Sequence, residues 1–242
     1  ISLSANWMWP CNNPGEDTRL YEAVEECSKF AIDLGINIPT GKDSLSMKQK
    51  YSNYDVLSPG TVIISAAGQC SDVKNIIKPV ATVKGGEIFY VDFSQDEFYL
   101  GGSSFAQSQE CIGNDTPGVT DALYFKRAFN TVQDHIKAGK ISAGHDIGSG
   151  GLITSLLELC FPSLNIGMDL DFSCLEETDL VKILFSEKVG LILQSNFDLK
   201  SSFSKNGIKA FKIGFVNQSS SLKIGNNNIS INEMRKEWMK TS

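Results

Sequence analysis

Apolar residues recur along this chain at two spacings, one typical of amphipathic helices and one typical of buried strands. Helical spacing predicts helices over residues 17–34 and 121–138, each followed by a glycine, and one face of the first helix is expected to lie in a core. Nearly continuous apolar runs predict strands over residues 62–68 and 87–93, and the first of these is typical of a strand buried on both faces. Predicted helices and strands alternate from residue 87 onward, so the pattern favours an α/β or α+β fold.

A glycine-containing segment between two extended stretches carries the first candidate chemistry. The segment is predicted to be a polar turn, and it contains four consecutive candidate residues, Gly41, Lys42, Asp43 and Ser44. A flexible glycine, a cation, a carboxylate and a hydroxyl could serve a phosphate or a magnesium ion, whereas a solvated turn needs no ligand, and both interpretations stay open. A P-loop is excluded, because the preceding glycine is too distant and Asp43 follows Lys42 where Ser or Thr is required.

The second candidate segment, GHDIGSGGL at residues 144–152, lies between a predicted strand and the predicted start of a helix. Backbone N–H groups at a helix N-terminus can bind an anion, and Asp146 could hold the metal that accompanies phosphates. The alternative is that Asp146 or Ser149 caps the helix while the glycines permit a tight turn. Three glycines beside an acid exceed what a cap requires, which favours the anion site. Residues 101–104, with two glycines and two serines at the predicted start of another helix, are a weaker candidate for the same kind of anion site.

Composition and charge narrow the function classes. The chain has 242 residues, a formal net charge of −6 and a sequence pI near 5.0, which argues against a nucleic-acid groove. No apolar run approaches the roughly 20 residues that cross a bilayer. Six well-separated cysteines without a Cys-x-x-Cys pair favour free thiols and a cytoplasmic location. Two histidines argue against a zinc site; His135 is expected on the protein surface, and Trp7 and Trp9 are expected to be packing groups.

The hydrophobic pattern is lost between residues 79 and 86, where the chain reaches a Lys-Gly-Gly sequence. This predicts a domain boundary, with domains over residues 1–83 and 84–228 and a terminal helix over residues 229–242. The first residue is isoleucine, and no targeting signal follows it. We therefore expect the sequence to be cut from a longer chain.

Seven segments, in this order, resemble the phosphoribosylformylglycinamidine synthases (formylglycinamide ribonucleotide amidotransferases) of purine biosynthesis. GKDSLSM after a short Pro-containing strand, and HD followed by a glycine pair, are the most specific. GKDS and the ending INEMRKEWMKTS indicate the C-terminal part of the synthase region in the large single-chain form. The segments cover most of the chain and are LSANWMW, GEDTRLYEAV, INIPTGKDSLSM, SPGTVIISA, LGGSSFAQ, GHDIGSGGL and FSEKVGLILQ.

The resemblance implies a fold related to aminoimidazole ribonucleotide synthetase, with a truncated N-terminal-type domain before a complete C-terminal-type domain. The implied enzyme is an ATP-dependent carbon–nitrogen ligase with Mg²⁺ as cofactor. It converts formylglycinamide ribonucleotide, ATP and glutamine to formylglycinamidine ribonucleotide, ADP, phosphate and glutamate. This chain is expected to be inactive alone, because the first synthase half and the glutaminase domain belong to the rest of the polypeptide.

The resemblance also implies roles for residues of the GHDIGSGGL segment. Asp146 matches a magnesium-ligating aspartate. Gly148 stands where a serine contacts the nucleotide, and Ser149 stands where aspartate is common, so both depart from the family pattern. The family has two pseudo-symmetric nucleotide sites, and Asp146 is assigned to the structural one rather than to the catalytic one.

In the GKDS segment the resemblance implies a second set of contacts. Gly41 matches a main-chain contact to the nucleotide, and Ser44 matches a substrate contact. Lys42 occupies the place of a metal-binding asparagine in the small form and is assigned here to substrate binding. Asp43 is added by proximity as a metal or substrate ligand.

Two alternatives to the synthase stay open. The chain could be a non-catalytic, structural nucleotide-binding module, or it could belong to another ATP-dependent member of the superfamily, such as thiamine-monophosphate kinase or selenophosphate synthetase. GKDSLSM and the C-terminal helix count against the second alternative. The expected partners are formylglycinamide ribonucleotide, the rest of the same polypeptide and a second copy of this chain through an uncovered strand surface, with neither nucleic acid nor membrane.

Overall fold

The computed structural model describes residues 1–240, and the chain divides into two compact units, the first ending at Val73 and the second beginning at Lys74. Residues just before the predicted boundary already belong to the second unit. The Ala81 N–H donates to the Leu159 carbonyl (2.9 Å). The domain limits 1–83, 84–228 and 229–242 stay predictions, and residues 241 and 242 of the terminal segment lie outside the described residues.

The first unit is built on a three-stranded sheet. Its elements are β1 (Ser2–Met8), α1 (Glu16–Leu34), β2 (Asn37–Ser44), β3 (Lys48–Lys50), β4 (Asp55–Leu57) and β5 (Thr61–Ala67). The sheet has the order β2–β1–β5, with β1 parallel to β2 and antiparallel to β5, while β3 and β4 form a separate antiparallel pair. The predicted helix and the predicted strand of this unit are therefore present.

The burial predicted for this unit is wrong at two elements. In α1 only Ala31 is buried, so no broad face of the helix lies in a core. In β5 the run predicted to be buried on both faces is exposed, with Ile63 at 52%. Within residues 1–73, β5 pairs with β1 alone at an edge of the sheet, and this unit covers neither of its faces, since residues 62–67 are all exposed.

The second unit is a layered α/β structure. Its elements are β6 (Glu87–Asp92), α2 (Ser104–Ser108), α3 (Ala122–Lys137), β7 (Ala143–Asp146), α4 (Gly151–Cys160), β8 (Gly167–Leu170), α5 (Leu180–Phe185), β9 (Gly190–Ser195), α6 (Leu199–Ser204), β10 (Ala210–Asn217), β11 (Ser221–Ile224), β12 (Asn227–Ser230) and α7 (Ile231–Trp238). The seven strands form one mixed sheet of order β12–β11–β8–β10–β6–β9–β7. The chain is thus mixed α/β, as predicted.

Strand β6 shows how this sheet makes two cores. Ile88 and Tyr90 face a core that includes residues of α4 and α5, whereas Phe89 and Val91 face a second core that includes residues of α3 and α6. A strand buried on both faces needs apolar side chains at successive positions, which is the pattern its sequence shows. Helices therefore cover both faces of the sheet.

Helix α4, which carries the candidate loop at its N-terminus, is anchored at the opposite end by α7. The Arg235 guanidinium donates from Nε to the Phe161 carbonyl (2.8 Å) and from a terminal nitrogen to the Cys160 carbonyl (3.3 Å). A cation bonded to the last carbonyls of a helix satisfies orphan acceptors and complements the helix dipole. The far end of α4 is consequently fixed.

The prediction that His135 lies on the protein surface is wrong, because the residue is buried and only 7% exposed. Its Nδ1 lies 2.7 Å from the Thr131 carbonyl oxygen, and its Nε2 lies 2.7 Å from the Ser202 hydroxyl of α6. Helix α6 covers this position of α3, so the histidine is a hydrogen-bonded packing residue.

None of the described helices combines the length and the apolar character that a membrane span needs.

Candidate functional site

Asp146 is the last residue of strand β7, where it pairs with Leu191 of β9. The side chain is 81% exposed, while the main chain is held, since its carbonyl accepts a hydrogen bond from the Ser155 hydroxyl of α4 (2.9 Å). The neighbouring His145 places Nδ1 2.6 Å from the same carbonyl and Nε2 3.3 Å from a Glu158 carboxylate oxygen. The backbone of Asp146 is thus fixed, and its carboxylate, with one oxygen 3.5 Å from the His145 Nδ1, is still largely exposed to solvent.

The glycines that follow differ in what the fold demands of them. Gly150 and Gly151 have φ of 86° and 76°, which side chains rarely adopt, and a Cβ on Gly151 would lie 2.7 Å from the Leu184 carbonyl oxygen. Around a Cβ on Gly148 there would be no atom within 4 Å. The tight turn therefore accounts for the glycine pair, and it does not account for Gly148.

The capping alternative for this segment is wrong. The N-cap residue of α4 is Gly150, and neither Asp146 nor Ser149 gives the helix a side-chain cap. The N-cap residue thus offers the N–H groups of the first turn no side-chain acceptor of its own. Such an N-terminus, next to an open carboxylate, suits an anion that carries a metal ion.

Glu187, which the sequence pattern did not single out, joins the two glycine loops. One carboxylate oxygen, Oε1, accepts from the Gly150 N–H (2.8 Å) and from the Ser104 N–H (2.8 Å). The loop of residues 101–104 and the loop of residues 148–151 therefore meet at one side chain. No local signal could reveal this, because Glu187 simply lies between a predicted helix and a predicted strand.

An apolar groove of about 580 Å³ lies next to the Asp146 loop. It is lined by residues of α3 and of the strands β7 and β9, among them Phe125, Phe129 and Leu193, and His145 and Asp146 also line it. A mostly apolar cleft with a few polar groups at one end is the usual form of a small-molecule site. The groove can take the apolar part of a ligand whose charged part binds at the loop.

In the first unit the predicted polar turn is strand instead, because the segment pairs in parallel with β1. Gly41 faces Ala5 in this pairing, and a Cβ at Gly41 would collide with the Ala5 carbonyl oxygen. This close approach requires a glycine without invoking a ligand. The interpretation of this segment as a solvated turn is therefore wrong, since its backbone is part of β2.

Strand geometry sorts the four predicted residues of β2 into two pairs. Lys42 donates from Nζ to the Ser44 hydroxyl (2.8 Å) and to the Asp43 carbonyl (2.9 Å). Lys42 and Ser44 share one face of the strand, and Gly41 and Asp43 share the other, because successive side chains of a strand alternate. The two residues assigned to substrate contact thus lie together on one face.

The fit to a metal ion can be judged from the donor set. Among residues 1–240, no three His, Cys, Asp or Glu side chains form a metal-binding group. Asp43 and Asp146 belong to different units. Mg²⁺ is commonly held by one or two carboxylates together with phosphate oxygens and water, so Asp146 suits an ion carried by a nucleotide better than a dedicated ion site. The roles of Asp146, Asp43, Gly148, Gly41, Lys42 and Ser44 stay predictions.

The remaining sequence candidates have structural explanations. All six cysteines are free, and burial raises the pKa of the Cys160 thiol to about 12, so it stays protonated. Trp9 is buried, with the Arg19 guanidinium 5.8 Å from its ring centroid, and its ring centroid lies 6.4 Å from that of Trp7. The prediction that the tryptophans are packing groups is confirmed for Trp9, while Trp7 is half-buried and packs against the Trp9 ring.

Family models match both units. Residues 1–69 match the FGAR-AT PurM_N-like domain, and residues 99–225 match the AIR synthase related protein, C-terminal domain. The second match covers more than half of the 242 residues.

Curated relatives and solved structures agree with these matches. The chain is 38% identical over 88% of its length to a probable phosphoribosylformylglycinamidine synthase, chloroplastic/mitochondrial, of Arabidopsis thaliana. It is 33% identical over 98% of its length to a probable phosphoribosylformylglycinamidine synthase of Caenorhabditis elegans. In fold it is similar to Thermotoga maritima PurL complexed with FGAR, with a TM-score of 0.67 and 13% identity over 97% of this chain and 39% of that chain. It is also similar to Thermotoga maritima PurL complexed with ADP, with a TM-score of 0.64 and 12% identity over 97% of this chain and 37% of that chain.

The match is to a part of these proteins, since the chain spans 15% of the Arabidopsis relative and 20% of the Caenorhabditis relative. The predicted relation to aminoimidazole ribonucleotide synthetase is confirmed by the family match and by the shared fold. The resemblance to phosphoribosylformylglycinamidine synthases is confirmed by the two curated relatives. On this evidence the chain belongs to the AIR synthase related family, whose C-terminal domain it contains at residues 99–225.

Proposed function

We propose that this chain is part of the synthase region of a phosphoribosylformylglycinamidine synthase. That enzyme is an ATP-dependent carbon–nitrogen ligase, which converts formylglycinamide ribonucleotide, ATP and glutamine to formylglycinamidine ribonucleotide, ADP, phosphate and glutamate. The observation that carries the proposal is the loop from Asp146 to Gly151, in which an exposed carboxylate precedes a helix whose N-cap residue is a glycine and gives no side-chain cap. The names of the curated relatives favour this synthase over a kinase or a selenophosphate synthetase.

Within the enzyme, the chain's own contribution is to hold a magnesium nucleotide. Asp146 ligates Mg²⁺, and the backbone at Gly148 faces the phosphates. When bound, Mg²⁺ would neutralise phosphate charge and so help to hold the nucleotide, in keeping with the assignment of Asp146 to the structural nucleotide site. The fold is shared with PurL structures complexed with ADP, which supports a nucleotide for this chain.

The first unit contributes contacts from β2. Lys42 and Ser44 contact the substrate from one face of the strand, and on the other face Gly41 contacts a nucleotide while Asp43 is a ligand for a metal ion or the substrate. The isolated chain is inactive in this proposal, because the other parts of the enzyme supply the remaining groups.

The exposed β5 strand of the isolated chain, with Ile63 52% exposed, pairs with a second copy of the chain. Sedimentation at micromolar concentration tests this pairing, and a monomeric mass would contradict it.

Thermal unfolding with and without Mg-ADP tests the nucleotide role. Ligand at 100 times its Kd adds about 2.7 kcal/mol to the free energy of unfolding, so we expect a clear rise in Tm. ADP with excess EDTA is the control and should give a much smaller rise. An unchanged Tm in Mg-ADP would favour the purely structural module.

A further inference from the structure

Glu187 holds an unusual place between the two glycine loops of the second unit. It lies in the segment that joins α5 to β9, partly buried. Its Oε1 is the common acceptor for Gly150, 37 positions away in sequence, and for Ser104, 83 positions away, each at 2.8 Å. Two chain segments that lie far apart in sequence are therefore tied by one carboxylate oxygen.

The backbone that presents this carboxylate is itself fixed. Ser186 and Lys188, on either side, are 2% and 5% exposed. The Lys188 Nζ lies 3.1 Å from a buried Asp92 oxygen. Phe185 stacks on Phe105 of α2 with ring centroids 4.7 Å apart. The carboxylate therefore acts from a rigid support and not from a mobile loop.

The hydrogen bond to Gly150 replaces a local helix-capping interaction. In a capping box, a glutamate three residues into the helix accepts from the N–H of the N-cap residue. In α4 the N-cap residue is Gly150, and the distant Glu187 accepts from its N–H. The N–H groups at the start of a helix have no intrahelical acceptor, so a side-chain acceptor held in place at this position is an effective restraint.

The candidate loop is consequently held at both ends. At its start the Ser155 hydroxyl donates to the Asp146 carbonyl, and at its end Glu187 accepts from Gly150. The backbone of Leu184–Ser186 lies directly against Gly151, where a Cβ would come within 2.7 Å of a carbonyl oxygen. Gly148 and Ser149 lie between these two anchors.

We infer that Glu187 is a positioning residue, which fixes the Asp146–Gly151 loop in the shape that receives the nucleotide. This inference rests on the proposed function, since it adds to the nucleotide site a residue that contacts the loop and not the ligand. Removing the carboxylate would free the Gly150 and Ser104 N–H groups and loosen both loops. An acceptor of the same shape at this position would keep both loops in place.

Three variants separate positioning from general stabilisation. Glu187→Ala removes the acceptor, and Glu187→Gln keeps an acceptor oxygen of the same shape without the charge. The matched control is Asp121→Ala, because one Asp121 oxygen also accepts two backbone N–H groups, from Leu123 (2.8 Å) and Tyr124 (3.0 Å), at the start of α3. The control loses an equivalent pair of bonds away from the glycine loops.

Hydrogen exchange of the nucleotide-free chain gives the first readout. We expect the Gly150 and Ser104 amides to exchange at least roughly tenfold faster in Glu187→Ala, within about threefold of wild type in Glu187→Gln, and unchanged in Asp121→Ala. Unchanged protection in Glu187→Ala would overturn the inference. This readout needs no nucleotide, so it stands even if the proposed function fails.

The affinity for Mg-ADP gives the second readout. We expect Kd to rise at least roughly tenfold in Glu187→Ala and to stay within about threefold of wild type in Glu187→Gln and Asp121→Ala. An equal loss in Asp121→Ala, or none in Glu187→Ala, would contradict positioning. Absence of Mg-ADP binding to the wild-type chain would overturn the proposed function, and the exchange rates would then decide whether Glu187 holds the loop.

Discussion

Gly151→Ala is expected to destabilise the second unit by about 3 kcal/mol or more. The residue has φ of 76°, which costs a residue with a Cβ about 1–2 kcal/mol. The added Cβ would lie 2.7 Å from the Leu184 carbonyl oxygen and 2.8 Å from that of Ser186, and overpacking of this kind costs about 1–3 kcal/mol. Both contacts are with backbone, so no side-chain rotation relieves them.

Gly148→Ala is the matched control for this substitution, three positions away in the same loop. Its φ is not in the left-handed region, and its Cβ would meet no atom within 4 Å, so we expect a change within about 0.5 kcal/mol. Urea unfolding of both variants measures the difference. Equal stability of the two variants would contradict the close approach of α4 to the α5–β9 segment.

Lys188→Met is the second substitution with a large expected effect. The Lys188 ammonium lies 3.1 Å from an Asp92 oxygen, both side chains are almost fully buried, and the ammonium lies 4.4 Å from the Phe98 ring centroid. Methionine keeps the apolar stem and leaves the Asp92 carboxylate without its cation. Losing one partner of a buried pair costs about 3–5 kcal/mol, which urea unfolding would detect.

The double variant Asp92→Asn with Lys188→Met shows whether the loss comes from an unpaired charge. Asparagine keeps an acceptor for the Ser94 and Gln95 N–H groups, which bond to the Asp92 carboxylate at 2.8 and 3.1 Å. We expect the double variant to be more stable than Lys188→Met alone, because no uncompensated charge remains. A double variant that loses the sum of the two single losses would contradict this explanation.

The sequence predicted most of the second unit, because its signals are local. Strand β6 is an apolar run, and α4 opens at the glycine pair before residues with helical apolar spacing. Such patterns depend on which faces of one element are buried. The shorter β12 (Asn227–Ser230) carries no such apolar pattern and was not predicted.

The first unit was predicted less well, because neighbours distant in sequence decide its structure. Residues 40–44 have the composition of a turn, but parallel pairing of Gly41 with Ala5 makes them strand. β5 has the composition of a buried strand, yet within residues 1–73 it is an edge strand with an exposed surface. Composition shows what a segment can bury and not what covers it.

The candidate site was predicted in part for the same reason. The loop from Asp146 to Gly151 is one continuous motif, so its chemistry is visible in the sequence. Glu187 acts on that loop from 37 positions away, and His135 is covered by Ser202 of α6, 67 positions away. Side chains that support a motif through long-range contacts leave no pattern at their own positions.

Titration calorimetry of ADP, with and without Mg²⁺, tests most directly whether the Asp146 loop holds a magnesium nucleotide. The proteins compared are the wild-type chain, Asp146→Asn and Asp134→Asn. The Asp134→Asn variant is the control, because it removes a carboxylate that is 76% exposed on α3. We predict Mg²⁺-dependent binding in wild type and in Asp134→Asn, and in Asp146→Asn at least roughly tenfold weaker binding that no longer depends on Mg²⁺. Asp146→Asn that binds Mg-ADP like wild type would contradict the account.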